Sequence, residues 1–93
     1  METSEMPVGY VTHYYTRLGV AVVKLQGELD VGDTIHVDGL STNTIQRVDS
    51  MQMNHRPIAV GHPGELIAVK VGDRVREHDT VYKLADESAE GAQ

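Results

Sequence analysis

The protein has no cysteine, no tryptophan and no phenylalanine, and its longest purely apolar runs, such as Val20 to Val23, are only four residues long. Without cysteine there can be no disulfide, zinc–thiolate site, iron–sulfur cluster or cysteine nucleophile. Such a short apolar run cannot span a bilayer, and no apolar segment follows a basic start, as it would in a secretory signal. We therefore expect a cytoplasmic location and no membrane contact.

Basic residues are also scarce, because 14 acidic and 8 basic side chains give a formal net charge of −6. The excess acid lies in the two ends. The segment from Pro7 to Ala85 holds all 8 basic side chains and 9 of the acidic ones. A strongly basic nucleic-acid footprint is therefore missing, which argues against DNA binding but is compatible with a local RNA contact.

The 93 residues are enough for one small domain with a thin core. The two ends are polar, whereas the body is rich in strand-forming residues. We expect a flexible leader at residues 1–7, a single domain at residues 8–85, and a disordered acidic tail at residues 86–93.

Short segments rich in Val, Thr, Ile and Tyr alternate with Gly and Pro turns, and no segment keeps a helical period. Six strands are predicted, with a bulge or bend in the long fourth one, at residues 8–15, 20–26, 34–37, 42–54, 65–71 and 80–84. Closing a small sheet removes its exposed edges. We therefore predict an all-β fold, a closed six-stranded antiparallel barrel.

Several segments resemble domain two of the translational GTPases, the barrel that follows the G domain in elongation factor Tu. These segments are Gly27 to Val37, Val48 to His55, and the turn and alternating strand from Gly61 to Val69. The opening Val8 to Tyr15 and the following Gly19 to Val23 resemble stand-alone elongation-factor-like barrels and the C-terminal barrel of collagenase-like peptidases. The resemblance implies a barrel of the translation-factor domain two type that serves as an accessory surface and not for a reaction.

No phosphate-binding loop and no other nucleotide motif is present, so we expect the chain to bind no GTP and no cofactor. In the full factors, the cleft beside the barrel receives the aminoacylated end of tRNA. The resemblance therefore implies a non-catalytic module that contacts RNA, either tRNA or rRNA, or that acts in trans with a separately encoded enzyme or translation protein. The alternative is a protein–protein adaptor without nucleic-acid contact, which the nearly neutral body favours.

Two predicted strand ends carry the candidate partner surface. Tyr15 and Arg17 end the first strand, and Gln52, His55 and Arg56 end the fourth. The resemblance places both ends near the face that receives the tRNA acceptor end. A tyrosine beside an arginine can stack on bases or anchor a protein partner. These five residues are therefore the candidate binding site.

Strict alternation along the first strand predicts which of its tyrosines face the core and which are exposed. With Val8 facing inward, Tyr10 and Tyr14 also face inward and fill the barrel or its mouth, while Tyr15 is exposed. Tyr15 is thus the tyrosine of this strand that is available to a partner.

The histidines are candidate metal ligands. None of them has a second possible ligand at a spacing that would place the two side by side on one strand, as a metal site requires. The histidines are His13, His36, His55, His62 and His78. Aspartates beside glycine in turns usually cap their own backbone and do not serve acid–base catalysis. We therefore predict no metal site, no catalytic residue and no enzymatic activity.

Two features remain at the C-terminal end of the domain. The segment from Pro63 to Val75 also resembles half of a biotinyl or lipoyl carrier, but that pattern would place the modified lysine at Ala89, and Lys83 lies inside a predicted strand. The carrier is the least favoured alternative. Where the resembling barrels have glycine before the last strand, this chain has His78, so we predict a positive φ there or a turn of another type.

Overall fold

The computed structural model describes residues 3–86, and in that range the backbone forms ten β-strands. They are β1 (Thr3–Tyr15), β2 (Val20–Leu25), β3 (Leu29–Asp30), β4 (Thr34–Asp38), β5 (Asn43–Arg47), β6 (Met51–Met53), β7 (Arg56–Ile58), β8 (Val60–Gly61), β9 (Leu66–Lys70) and β10 (Thr80–Asp86). Eight of them form one sheet in the order β5-β4-β10-β1-β2-β9-β6-β7, and β3 pairs with β8. Every pairing is antiparallel, which confirms the all-β prediction.

The long strand β1 is shared between two neighbours. Its first half pairs with β10 and its second half with β2, and the register shifts once in each ladder, between Pro7 and Gly9 and between Val11 and His13. Each shift inserts an unpaired residue, which is the mark of a β-bulge. The two bulges bend β1, so that one strand serves both halves of the sheet.

The bulges also change which side chains of β1 reach the core. Val8 and Val11 are buried, and Tyr14 packs against the core as predicted. The inward positions are thus spaced by three residues and not by two. The prediction that Tyr10 points inward is wrong, because its side chain is 38% exposed.

The expected boundary after residue 7 falls inside β1. Residues 3 to 7 pair with β10, from Thr3 opposite Asp86 to Pro7 opposite Tyr82. They continue the strand because β10 runs on to Asp86 and offers them a backbone partner. Residues 87–93 of the predicted acidic tail, and residues 1–2 of the predicted leader, lie outside the described residues.

The predicted fourth strand is interrupted between β5 and β6, as the expected bend requires. Val48 lies in the break and is fully buried. Its N–H donates to the Asp33 carbonyl at 2.8 Å, and its carbonyl accepts from Gly32 N–H at 2.8 Å. The bend therefore fastens the chain to the turn that precedes β4.

One core lies beneath the sheet. Its fifteen buried apolar side chains are mostly valine and leave nine-tenths or more of their surface out of solvent: Val8, Val11, Ala21, Val23, Leu25, Leu29, Ile35, Val37, Val48, Met51, Ile67, Val69, Val71, Val75 and Val81. Seven of the strands contribute to it, so burying these side chains drives the sheet to curl around them.

The closed six-stranded barrel is not what the structure shows. The ladder of the large sheet is open, with β5 at one edge and β7 at the other. The β5 edge is bridged to the end of β9 by a side chain instead of a ladder. The amide of Gln46 donates to the Lys70 carbonyl at 3.0 Å and accepts from Gly72 N–H at 2.8 Å. The hydroxyl of Thr44 also donates to the Asp73 carboxylate at 2.7 Å. These side-chain contacts leave that edge of β5 without strand pairing.

Candidate functional site

A shallow groove lies on the outer face of β2, β9 and β6. Along β2, Ala21 and Val23 face the core, so Val20 and Val22 face outward. The ladders set Val22 opposite Ala68, and Ala68 opposite Gln52. Alanine between two larger side chains leaves a depression in the middle of the sheet face.

The groove has a volume of about 480 Å³ and a mostly apolar wall. Three large side chains on its wall are unusually exposed for their type: Tyr15 at 49%, Leu18 at 63% and Leu66 at 52%. Its polar wall is formed by Gln52, Asn54 and His55. Exposed apolar side chains around a concave surface are typical of a binding site.

Three of the five predicted site residues meet in this groove. Tyr15 enters from the end of β1, Gln52 from β6, and His55 from the turn after β6. Arg17 lies in the β1–β2 turn, next to Leu18 of the groove wall. Arg56 pairs with Met53, which packs against the core, so Arg56 leaves its strand on the face opposite to Gln52. The groove thus gathers the two strand ends but not Arg56.

The polar wall rests on a tight hairpin. Met53 pairs directly with Arg56, which leaves Asn54 and His55 as the whole connection, and both have positive φ, at 54° and 65°. Two successive positive φ values define a type I′ turn, whose twist matches that of antiparallel strands. The turn holds the two side chains at the tip of the hairpin, where they line the groove.

A pair of rings lies beside the groove on β1. The imidazole of His13 and the phenol of Tyr15 are stacked, with centroids 6.2 Å apart and planes 12° from parallel. Both residues are exposed. An exposed flat ring surface can receive another planar group.

The charges are divided between two parts of the chain. The segments 6–27 and 51–71, which supply the groove, contain four of the eight cationic side chains but only one of the fourteen carboxylates, Glu65. The cations are Arg17, Lys24, Arg56 and Lys70, and in the described part of the chain none of them is within ion-pair distance of a carboxylate. The groove therefore sits in the cationic part of an acidic protein.

Leu18 and Leu66 belong to the groove wall but were not predicted as site residues. A signal for Leu66 is present in the sequence, since it occupies an outward position of an alternating strand where a polar residue is expected. Leu18 lies in a turn, where sequence periodicity says nothing about its surroundings.

Within residues 3–86, no three His, Asp or Glu side chains are grouped as metal ligands would be. None of the described segments forms a helix with the length and apolar character needed to cross a bilayer.

Lys83 lies in β10, where its ammonium donates to the Glu28 carbonyl at 3.2 Å and lies 3.6 Å from the Asp33 carboxylate. Its ammonium is thus held by these two contacts, unlike the free lysine of a carrier, and Ala89 lies outside the described residues.

No protein-family model matches the sequence. An uncharacterized protease of Methanocaldococcus jannaschii is 36% identical over 83 residues, which are 88% of this chain but 20% of that protein. The chain thus spans about a fifth of the length of the curated relative that it matches.

The crystal structure of the C-terminal domain of a Geobacillus thermoleovorans protein described as a U32 peptidase superposes with a TM-score of 0.79, at 20% identity, over 84% of this chain and 91% of that one. Its selenomethionine variant gives 0.77, at 19% identity, over 81% and 95%. These similarities support the peptidase side of the resemblance and give no support to the translation-factor side. The chain is therefore similar in fold to the C-terminal domain of a U32 peptidase, and in sequence to one fifth of an archaeal protease.

Proposed function

We propose that this chain is a non-catalytic binding domain that contacts RNA through the groove. The observation that carries the proposal is a group of cations near the groove, next to the exposed stack of His13 and Tyr15. These cations are Arg17, Lys24 and Lys70, and among the described residues no carboxylate lies within ion-pair distance of them. Cations that follow a phosphate backbone, together with rings that stack on bases, are the two means by which proteins hold single-stranded RNA. Amides such as Gln52 add hydrogen bonds to base edges.

Its similarity to the C-terminal part of peptidase-like proteins supports an accessory role. We propose that any catalytic step belongs to a partner protein and that this chain brings RNA or the partner into place, in the cytoplasm. Neither tRNA nor rRNA is favoured over the other by the geometry of the groove.

The second candidate is a protein–protein adaptor without RNA contact. It is favoured by the exposed apolar side chains of the groove wall, Leu18 and Leu66, because leucine contributes to protein interfaces by burial but offers a nucleotide no stacking surface. In that case the cations would face an acidic protein partner.

Affinity capture from cell lysate, with and without ribonuclease, tests RNA binding against the adaptor function. RNA should co-purify with the native chain and be lost, together with proteins that it tethers, after ribonuclease treatment. If no RNA co-purifies and the same protein partners persist after ribonuclease, the adaptor function replaces RNA binding. The double variant Leu18→Ser/Leu66→Ser is the control, since it should release a protein partner but retain cation-dependent RNA binding.

A further inference from the structure

On the side of the sheet formed by β5, β4, β10 and β1, the ring of His36 has an oxygen atom beside each nitrogen. Nδ1 lies 3.1 Å from both carboxylate oxygens of Glu5, and Nε2 lies 2.6 Å from Oδ1 of Asn43. A neutral imidazole has one N–H, whereas the imidazolium has two. Only the protonated ring can therefore donate to the Glu5 carboxylate and to the Asn43 amide oxygen at once.

The groups packed around His36 favour its positive charge. Glu5 on β1 and Asp38 on β4 are anionic, Tyr82 on β10 lies with its ring centroid 6.0 Å from the imidazole, and β5 presents only the neutral Asn43 and Ile45. The two nearest cations of β5 and β10 point elsewhere. Arg47 lies beside Gly32, and Lys83 is bound to Glu28 and Asp33. The hydrogen bond to Asn43, and then the one to Glu5, raises the pKa of His36 above its ordinary value.

The contact joins strands that are not neighbours. β10 lies between β1 and β4, so the bond from His36 to Glu5 passes over β10. The first half of β1 has few other attachments, because pairing of β1 with β2 begins only at Gly9. Among the described residues, its segment 3–7 is held by the ladder with β10 on one side only.

We propose that His36 is a pH-sensitive clasp that fastens the first half of β1 across β10 to β4. The clasp is complete when the ring is protonated. Deprotonation removes the charge that attracts Glu5, and it forces the amide of Asn43 to turn over or lose its hydrogen bond. Because the pKa of His36 is higher in the folded state, the stabilisation is full below the unfolded-state value of about 6.5 and is lost as pH rises through the folded-state value. The first half of β1 thus loosens toward alkaline pH.

Hydrogen–deuterium exchange of the backbone tests the clasp, with a pH series from about 5.5 to about 9 that brackets an ordinary histidine pKa. After the rates are divided by the chemical exchange rate at each pH, protection of the amides of residues 3–6 should fall about two- to fivefold across the series, the range expected for an exposed ion pair. Protection of β2 in the same samples is the internal reference. Glu5→Gln should abolish the pH-dependent part of this loss, whereas the control Glu77→Gln, in the turn before β10, should keep it.

A second measurement follows the ring of His36 directly, in variants whose far-ultraviolet circular dichroism matches that of the native chain. The ring signals of His36, followed by NMR, should titrate at higher pH in the native chain than in Glu5→Gln. The clasp is overturned if protection of the amides of residues 3–6 varies with pH equally in the native chain and in Glu5→Gln. It is also overturned if the ring of His36 titrates at the same pH in both.

Discussion

At the scale of single residues, the backbone within residues 3–86 adopts a left-handed conformation at three non-glycine positions, Asn54, His55 and His78. Asn54 and His55 form the tight turn that carries the polar wall of the groove. At His78, φ is 76°, and its N–H donates to the Val11 carbonyl at 2.8 Å. The positive φ predicted from the missing glycine is thus confirmed, and the turn before β10 keeps its conformation without glycine.

Substitution of His78 should show what this conformation costs. His78→Gly is expected to be neutral or mildly stabilising, because relief of about 1–2 kcal/mol of left-handed strain is opposed by the greater freedom of glycine in the unfolded chain. His78→Val should destabilise clearly more, since a branched Cβ crowds this region. Urea unfolding of the three proteins measures both changes. If His78→Val unfolds like the native chain, His78 carries no strain.

At the scale of elements, the bulge near the middle of β1 requires a glycine for space and not for its φ. A Cβ on Gly9 would lie 2.5 Å from the Lys24 carbonyl oxygen and 3.0 Å from Val23 Cγ1. The first of these is backbone in the paired strand β2, which cannot move aside without breaking the ladder.

Gly9→Ala should therefore destabilise the protein by about 1–3 kcal/mol, the usual range for overpacking. Gly72→Ala is the matched control, because its Cβ would come no closer than 3.9 Å to another atom, Oε1 of Gln46. Thermal unfolding of both variants measures the difference. Equal melting temperatures for the two variants would show that β1 and β2 can separate locally at no cost.

Gln46 should matter more to stability than its position on an edge strand suggests. Gln46→Ala removes the two hydrogen bonds from this side chain to Lys70 and Gly72, so we expect a loss of about 1–3 kcal/mol, or 0.5–1.5 for each bond. Gln52→Ala, whose side chain is exposed on the groove face, should change stability by less than about 0.5 kcal/mol. If urea unfolding gives the same loss for both variants, the side-chain bridge does not fasten that edge.

Periodicity and turn residues were sufficient to place seven of the ten strands of residues 3–86 in six predicted segments, with β5 and β6 together in the segment 42–54. They could not predict β3, β7 or β8, which are two or three residues long and too short to show alternation. They also predicted the wrong orientation for Tyr10, because a bulge inserts one residue into a strand and the sequence pattern does not show where. The prediction of a closed barrel failed for a related reason. The contact between β5 and the end of β9 is made by the side chain of Gln46 and not by a strand ladder, so it leaves no periodic pattern in the sequence.

At the scale of the whole molecule, the numbers of charges could be read from the sequence, but their distribution over the surface could not. Counted from Pro7 to Ala85, the charges nearly cancel. The strand order brings the carboxylate-poor segments 6–27 and 51–71 together, because β1 pairs with β2, β2 with β9, and β9 with β6. Tyr15, Gln52 and His55 were predicted from a resemblance and do meet in one groove, whereas the placement of Arg56 depended on strand pairing in a hairpin that the sequence did not reveal.

The cations near the groove therefore differ in their expected effect on RNA binding. Arg17 adjoins the groove wall. Lys70 lies on the outer face of β9, and its Cε is 4.0 Å from the point where Gly19 would carry a Cβ, so its side chain runs toward the β1–β2 turn that holds Arg17. Arg56 faces the other way and should contribute less. All three substitutions to alanine should leave the melting temperature nearly unchanged, as exposed positions usually do.

The most direct test of RNA binding at the groove is a fluorescence-anisotropy titration of labelled single-stranded RNA over a series of salt concentrations. It compares the native chain with Arg17→Ala/Lys70→Ala and with the control Arg74→Ala/Arg76→Ala, which removes the same charge from the acidic part of the chain. We expect the groove variant to bind about tenfold more weakly, with a slope of log affinity against log salt reduced by about 1.4, because two phosphate contacts are lost. The control should stay within about twofold of the native affinity. Equal weakening of both variants, or no RNA binding by the native chain at low salt, would contradict RNA recognition at the groove.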